Sequence, residues 1–249
     1  MVSDAVQRLA ERHKASDEVR RNMLAAIGNL EGLYEGLGLC LSHEPDLLSQ
    51  WRGYADDGTG LAIGFNRSYL EWLAEDRAST GPDLELAEVK YKSDEHEVLV
   101  EPVFLRLREL LESDDQFVED IPPSVPAGSP EYKRLEALHG RLAVLTLLQA
   151  AMPSLGHVYL LKHRAFAEER EVRLLHRFGW LPTQPCEYHA RRGSIVQYRS
   201  RELPPGPIES ISKIVLGPKH TTPVSVVENF LSQFGFHGVE VIPSQAPYR

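Results

Sequence analysis

Two short stretches hold the side chains best suited to chemistry. Leu47-Leu48-Ser49-Gln50-Trp51-Arg52-Gly53-Tyr54-Ala55-Asp56-Asp57-Gly58 runs on to Phe65, and Phe166 to Leu175 contains Glu171 and Arg173. Arginine's planar fork donates two parallel charge-assisted hydrogen bonds, so Arg52, flanked by Gln50 and Tyr54, suits a phosphate or carboxylate. The same spacing admits a plainer arrangement, with Arg52 paired to Asp56 four residues on and Trp51 and Tyr54 in the core. Taken locally, the plainer arrangement is the more economical. Glu171 and Arg173 alternate onto one side of a strand, opposite Val172 and Leu174. They form either a simple ion pair, worth little if exposed, or a cleft. In the cleft, Glu171 acts as a base or cation stabiliser, held ionised by Arg173 or Lys162. Local evidence again favours the ion pair.

Other chemistries find little support. Asp56 and Asp57 lack the later oxygen ligands and closing glutamate of a calcium loop, and His163 has no spaced His, Cys or Asp partner. No metal site is therefore expected among the ten scattered histidines. Gly-x-Gly-x-x-Gly, P-loop, Gly-x-Ser-x-Gly and Cys-x-x-Cys patterns are absent. A net charge of −9 argues against broad binding to nucleic acid. The one basic cluster, Arg191, Arg192, Arg199 and Arg201, reads as a solvated strand face. No apolar run approaches the roughly 18 residues of a membrane span, and the N-terminus MVSDAVQRLAERHK has no apolar signal core. With only Cys40 and Cys186 as thiols, a soluble chain in a reducing cytoplasm is expected, with no membrane partner.

These residues need elements to position them. Val6, Leu9 and His13, then Val19, Met23, Ile27 and Leu30, recur at helical spacing over residues 4–31. Gly32, Gly36 and Gly38 end that pattern, and Leu37–Leu41 reads as a short buried strand. Pro45 and Asp46 mark the start of a helix carrying Leu47, Leu48, Trp51 and Ala55 on one face. Asp57-Gly58 is a turn and Gly60–Phe65 a buried strand. A polar helix near Ser68–Glu75, a turn at Thr80–Asp83, a strand at Glu88–Lys92 and a helix over Val98–Leu111 follow. Glu119–Pro130, with four prolines, is a loop. Glu131–Ala151 is the clearest helix, and its stripe Leu135, Leu138, Leu142, Leu145 and Leu148 reads as core. Val158–Lys162, Glu171–Arg177, Ile195–Glu202 and Ile211–Leu216 read as strands. A last helix begins at Thr222-Pro223, with Val227, Phe230, Leu231 and Phe234 as its buried face and Gly235 as its stop. Val239–Ile242 is a final strand. Strands and helices do not alternate strictly, so an α+β fold is expected, with a mixed or antiparallel sheet and several packed helices. A helical segment over 1–38 leads into one domain over 39–249.

In order and combination, Leu48 to Ala55, Gly60 to Phe65, Phe166 to Arg173, Ile214-Val215-Leu216-Gly217-Pro218 and Ser244-Gln245-Ala246-Pro247-Tyr248-Arg249 resemble a bacterial family known only as domain-of-unknown-function family 2971. The resemblance covers roughly Leu39 to the C-terminus. The general layout of that family is similar to ADP-ribosyltransferase-like toxins that hold NAD between two small sheets. The resemblance implies Glu171 as the acid supporting an oxocarbenium-like transition state, with Gln50, Arg52 and Tyr54 lining the pocket. It also implies Lys162 and Arg173 as further contacts, Lys162 toward the pyrophosphate, with NAD as substrate and a nucleic acid or protein as target. Fold alone does not fix chemistry, and a non-catalytic interaction or sensor module is the alternative. A nuclease is disfavoured by the lack of clustered metal-ligating acids. One departure stands out. The family's opening Tyr-x-Tyr-Thr-like strand and its Asn-Asp-Pro-Phe-Glu-like segment are missing here. That points to a chain start downstream of the natural one, or to an impaired site.

Overall fold

A computed structural model describes residues 1–31, 35–75, 84–113, 122, 124–178, 186–191, 193–200 and 202–248. The chain begins with α1 (Val2–Arg12), α2 (Asp17–Glu31), β1 (Glu35–Ser42) and α3 (Leu48–Tyr54). A 3-10 turn (Asp56–Gly58) leads to β2 (Leu61–Phe65), α4 (Arg67–Glu75) and β3 (Leu84–Glu88). Then come α5 (Ser93–Glu112), α6 (Pro130–Ala151), α7 (Ser154–Val158) and a second 3-10 turn (Arg164–Glu169). The chain continues through β4 (Glu171–Phe178), β5 (Glu187–Arg191), β6 (Ser194–Tyr198) and β7 (Ile211–Leu216), and closes with α8 (Val224–Gln233) and β8 (Glu240–Pro243). The expected α+β class holds. The expected turn at Thr80–Asp83, the start of the loop at Glu119–Pro130, and Arg192 and Arg201 of the basic cluster lie outside the described residues.

Two compact units form. The first comprises Met1–Glu35, Lys90–Arg164 and Phe178–Leu181, and is helical. Its core is built from Val6 and Leu9 of α1, Met23 and Ile27 of α2, and Val100, Phe104 and Leu107 of α5. The periodicity read from residues 4–31 is thus realised as two helices. Glu97 is buried in this unit, and charge can be buried only with partners. Arg8 Nε donates to Glu97 Oε1 at 2.6 Å and Arg12 donates to Oε2. His13 Nε2 meets Glu101 at 2.9 Å while its ring packs 5.3 Å from that of Phe104.

Several sequence expectations are corrected in this unit. Val158–Lys162 is not a strand: Ser154–Val158 is a helical turn, and only Leu161 pairs, as a parallel bridge to Lys90. Glu88–Lys92 is not a strand either. The strand ends at Glu88, and Lys92 serves as N-cap of α5, its backbone N–H donating to Glu95. Of the leucine stripe of α6, Leu148 packs on the core, but Leu138, Leu142 and Leu145 do not. Only the C-terminal end of that helix, through Leu147, Leu148, Ala150 and Ala151, packs on the unit's interior, while Leu138, Leu142 and Leu145 face solvent. Periodicity identified an amphipathic helix but assigned Leu138, Leu142 and Leu145 to the wrong side.

The second unit comprises Gly36–Val89, Ala165–Arg177 and Pro182–Arg249. It contains the three-stranded sheets β1-β4-β3 and β2-β7-β8 and the hairpin β5-β6. β4 runs antiparallel to β3, with Glu88 opposite Val172 and Leu86 opposite Leu174. In the other sheet β2 and β7 are antiparallel, Leu61 facing Leu216 and Ile63 facing Ile214. β7 and β8 are parallel, which requires a crossover, and α8 supplies it. Ile214, Val215 and Leu216 are buried because β7 is the central strand. α8 covers this sheet with Leu231, Val224 and Val227. Phe230 and Phe234, expected on its buried face, are instead exposed and pack on each other 4.9 Å apart. Gly235, at φ +84°, does end the helix.

The Glu97 cluster makes an asymmetric prediction. Arg8→Ala with Arg12→Ala leaves a buried carboxylate unpaired and should cost about 3–5 kcal/mol. Glu97→Gln leaves two arginines that reach solvent and should cost only about 1–2 kcal/mol. Urea unfolding followed by far-ultraviolet circular dichroism measures both, and equal costs would contradict the assigned burial.

Candidate functional site

The first block folds around one carboxylate. Asp46 does not cap α3: the N-cap position belongs to Leu47, and no side chain hydrogen-bonds there. The Asp46 carboxylate instead accepts from Trp51 Nε1 (2.6 Å), from Ser244 Oγ and from the backbone N–H of Gln245 (2.6 Å). Burial raises its pKa, but the hydrogen bonds from Ser244, Trp51, Gln245 and Ala246 outweigh burial and hold it below the ordinary aspartate range. Trp51 is buried as expected. The C-terminal Ser-Gln-Ala segment therefore closes onto the start of the first block.

A second clasp follows it. Asp56, Asp57 and Gly58 all have positive φ (47°, 55° and 86°). Two consecutive non-glycine residues there are a strain of about 1–3 kcal/mol each, held only where surroundings over-determine them. The surroundings do so. Asp57 accepts from Lys219 Nζ at 2.6 Å and from the Tyr248 hydroxyl, and these bonds lower its pKa. Lys219 Nζ lies 3.9 Å from the centre of the Tyr248 ring, and the Arg52 guanidinium lies 5.3 Å from it. The backbone locks the same turn: Gly217 N donates to Gly60 O (3.0 Å) and Lys219 N to Gly58 O (2.9 Å). A Cβ on Gly217 would run into the Gly58 and Gly60 carbonyl oxygens, so only glycine fits.

Of the three candidates on α3, Gln50 and Tyr54 lie one turn apart on one face, and Arg52 lies roughly opposite them. Tyr54 is exposed rather than core. Arg52 meets Tyr248 beside Asp57. Sequence spacing alone suggested Asp56 as its partner and gave no sign of Lys219 or Tyr248, which are 162 and 191 residues from Asp57.

The second block is built differently. Its 3-10 turn ends at Glu169, and Arg170, at φ 42°, turns the chain into β4. Ser42 Oγ donates to Glu169 O (2.6 Å) and His43 N to Arg170 O (3.1 Å), gripping the turn from the end of β1. Arg170 pairs with Glu44. Glu171 is then the first residue of β4 and only 5% exposed. Arg173 holds it with both arms of its fork, Nε to Oε1 at 2.7 Å and Nη2 to Oε2 at 3.0 Å. The pairing expected from strand alternation is present, and burial makes it more than a surface ion pair. Such a fork fixes the orientation of the carboxylate. Lys162 belongs to the first unit, where its backbone N–H donates to Lys90 O (3.0 Å).

The first unit has a concavity of about 650 Å³ beside α5 and α7, with Val98, Leu99, Pro102 and Val103 on one side and His157 on the other. Burial lowers the His157 pKa and keeps the ring neutral. Its Nδ1 is buried without a hydrogen-bond partner among the described residues. No motif marks His157 in the sequence. Among the described residues, no group of three His, Cys, Asp or Glu is placed to hold a metal ion, and no helix is long and apolar enough to cross a membrane.

A family model described as "Protein of unknown function (DUF2971)" matches residues 50–174, half of the chain. The match includes the first block from Gln50 onward and the second as far as Leu174. No curated protein and no solved structure gives a match. The chain belongs to the DUF2971 family.

The Asp46 clasp should open as a unit. Asp46→Ala is expected to shift tryptophan emission to the red and to speed carboxypeptidase trimming of the tail by about tenfold, ~1.4 kcal/mol of local opening. The folded pKa is depressed, so this contribution is present above the unfolded pKa and lost as pH falls through the folded one. Trimming of the native chain should therefore accelerate only below the ordinary aspartate range. Acceleration already near neutrality would disprove the role of Asp46.

Proposed function

We propose that this member of the family is an NAD-consuming ADP-ribosyltransferase-like enzyme of the bacterial cytoplasm, acting on a nucleic acid or protein in conflict or defence. The observation that carries this reading is Glu171, a buried carboxylate paired with and oriented by the Arg173 fork at the start of a central strand. Reactions that pass through a sugar cation require a fixed negative charge of this kind. In the proposed reaction the bond between C1′ of the ribose and the nicotinamide nitrogen breaks, and its electron pair leaves with nicotinamide. Glu171 stabilises the cation at C1′ until a nucleophile of the target adds there and releases its proton. Gln50, Arg52 and Tyr54 serve as binding residues, with guanidinium N–H groups suited to the pyrophosphate. Two small sheets in one unit and a left-handed Arg170 immediately before Glu171 support the reading.

A non-catalytic interaction module is the second reading. It is favoured by Arg52, whose guanidinium already stacks on Tyr248 within the C-terminal clasp.

Nicotinamide release and thermal shift in millimolar NAD decide between them. The native chain is expected to gain stability with NAD by mass action and to release nicotinamide. Glu171→Gln should lower release by about a hundredfold or more while keeping the stabilisation. A native chain that shows neither response, or a Glu171→Gln chain as active as the native one, would defeat the enzymatic reading.

A further inference from the structure

α6 presents an apolar seam that the protein's own core does not use. Leu135, Leu138, Leu142 and Leu145 follow one another at spacings of three, four and three, the a/d repeat by which one helix packs along another. Leu138, Leu142 and Leu145 are 48%, 40% and 59% exposed. At 100° per residue, Leu147 and Ala151, which pack on the core, lie roughly opposite Leu138 on the helix. The seam is therefore turned away from the interior by the geometry of the helix itself.

The charges beside the seam indicate what it receives. Arg134 and Arg141 are seven residues apart, share one flank and are both exposed. Among the described residues neither makes an ion pair. The other flank offers His139 and Thr146. A second copy of the chain fits poorly, because parallel pairing would set Arg134 and Arg141 against His139 and Thr146. Antiparallel pairing would set arginine against arginine. Neither arrangement supplies a carboxylate, and like charges across a helix pair select against it.

We propose that the Leu135–Leu145 face of α6 is a docking site for an amphipathic helix of a partner, with leucines in heptad spacing and glutamates flanking them. The leucine seam provides burial and the arginine row provides selection for acidic flanks.

Two synthetic helical peptides test this on the full chain by fluorescence anisotropy, both with leucine at a and d, one with glutamate and one with lysine at e and g. The glutamate peptide should bind about tenfold tighter or better, with the preference shrinking in 1 M salt. Arg134→Glu with Arg141→Glu should reverse the preference. Leu138→Ser with Leu142→Ser should abolish binding and leave the circular dichroism spectrum unchanged, because both side chains are exposed and neither is among the described residues packed on the core. No binding of either peptide, equal binding of both, or a preference untouched by the arginine reversal would overturn the proposal. So would a native dimer that dissociates on Leu138→Ser with Leu142→Ser.

Discussion

Nothing larger than a hydrogen atom fits between Gly217 and the Gly58–Gly60 backbone, and much of the second unit follows from that contact. It brings the end of β7 against the turn that precedes β2, fixing Leu61 opposite Leu216. A one-residue slip would turn every inward side chain of β2 outward. It also sets Lys219 beside Asp57, which stabilises a turn of three left-handed residues. From there Tyr248 and Ser244 follow the chain back to Asp46 and Trp51. The residues of the first block are thus shaped by a segment nearly two hundred positions away.

Among the described residues two carboxylates, Glu97 and Glu171, are buried, and they are compensated in different ways. Glu97 draws its cations from a separate helix, so its charge is compensated by tertiary packing of α1 on α5. Glu171 takes the Arg173 fork from two residues along the same strand.

Local rules were legible in the sequence and long-range ones were not. Helix spacing located α1, α2, α5 and α6, and strand alternation placed Glu171 and Arg173 on one side of β4. Gly235 at the end of α8 followed from its backbone freedom. The failures share a cause. An amphipathic helix has an apolar face, but its sequence does not say which way the face points. Leu138 and Phe230 were both assigned inward and both lie outward. The partners of Asp46 and Asp57 escaped for a related reason: no spacing rule links residues that meet only after the tail returns. Val158–Lys162 has strand composition but pairs at Leu161 alone, because α7 occupies the residues before it.

The topology of β2-β7-β8 has a consequence in time. β2 ends at Phe65 and its pairing partner begins at Ile211, a gap of roughly 150 residues, or on the order of ten seconds of synthesis at typical ribosomal rates. Throughout that interval an apolar strand has both of its edges open. β1 and β4, separated by a similar length of chain, face the same wait. The second unit is therefore assembled late and all at once, and the nascent chain carries three unpaired strands, β1, β2 and β3, whose exposure chaperones or early collapse must cover.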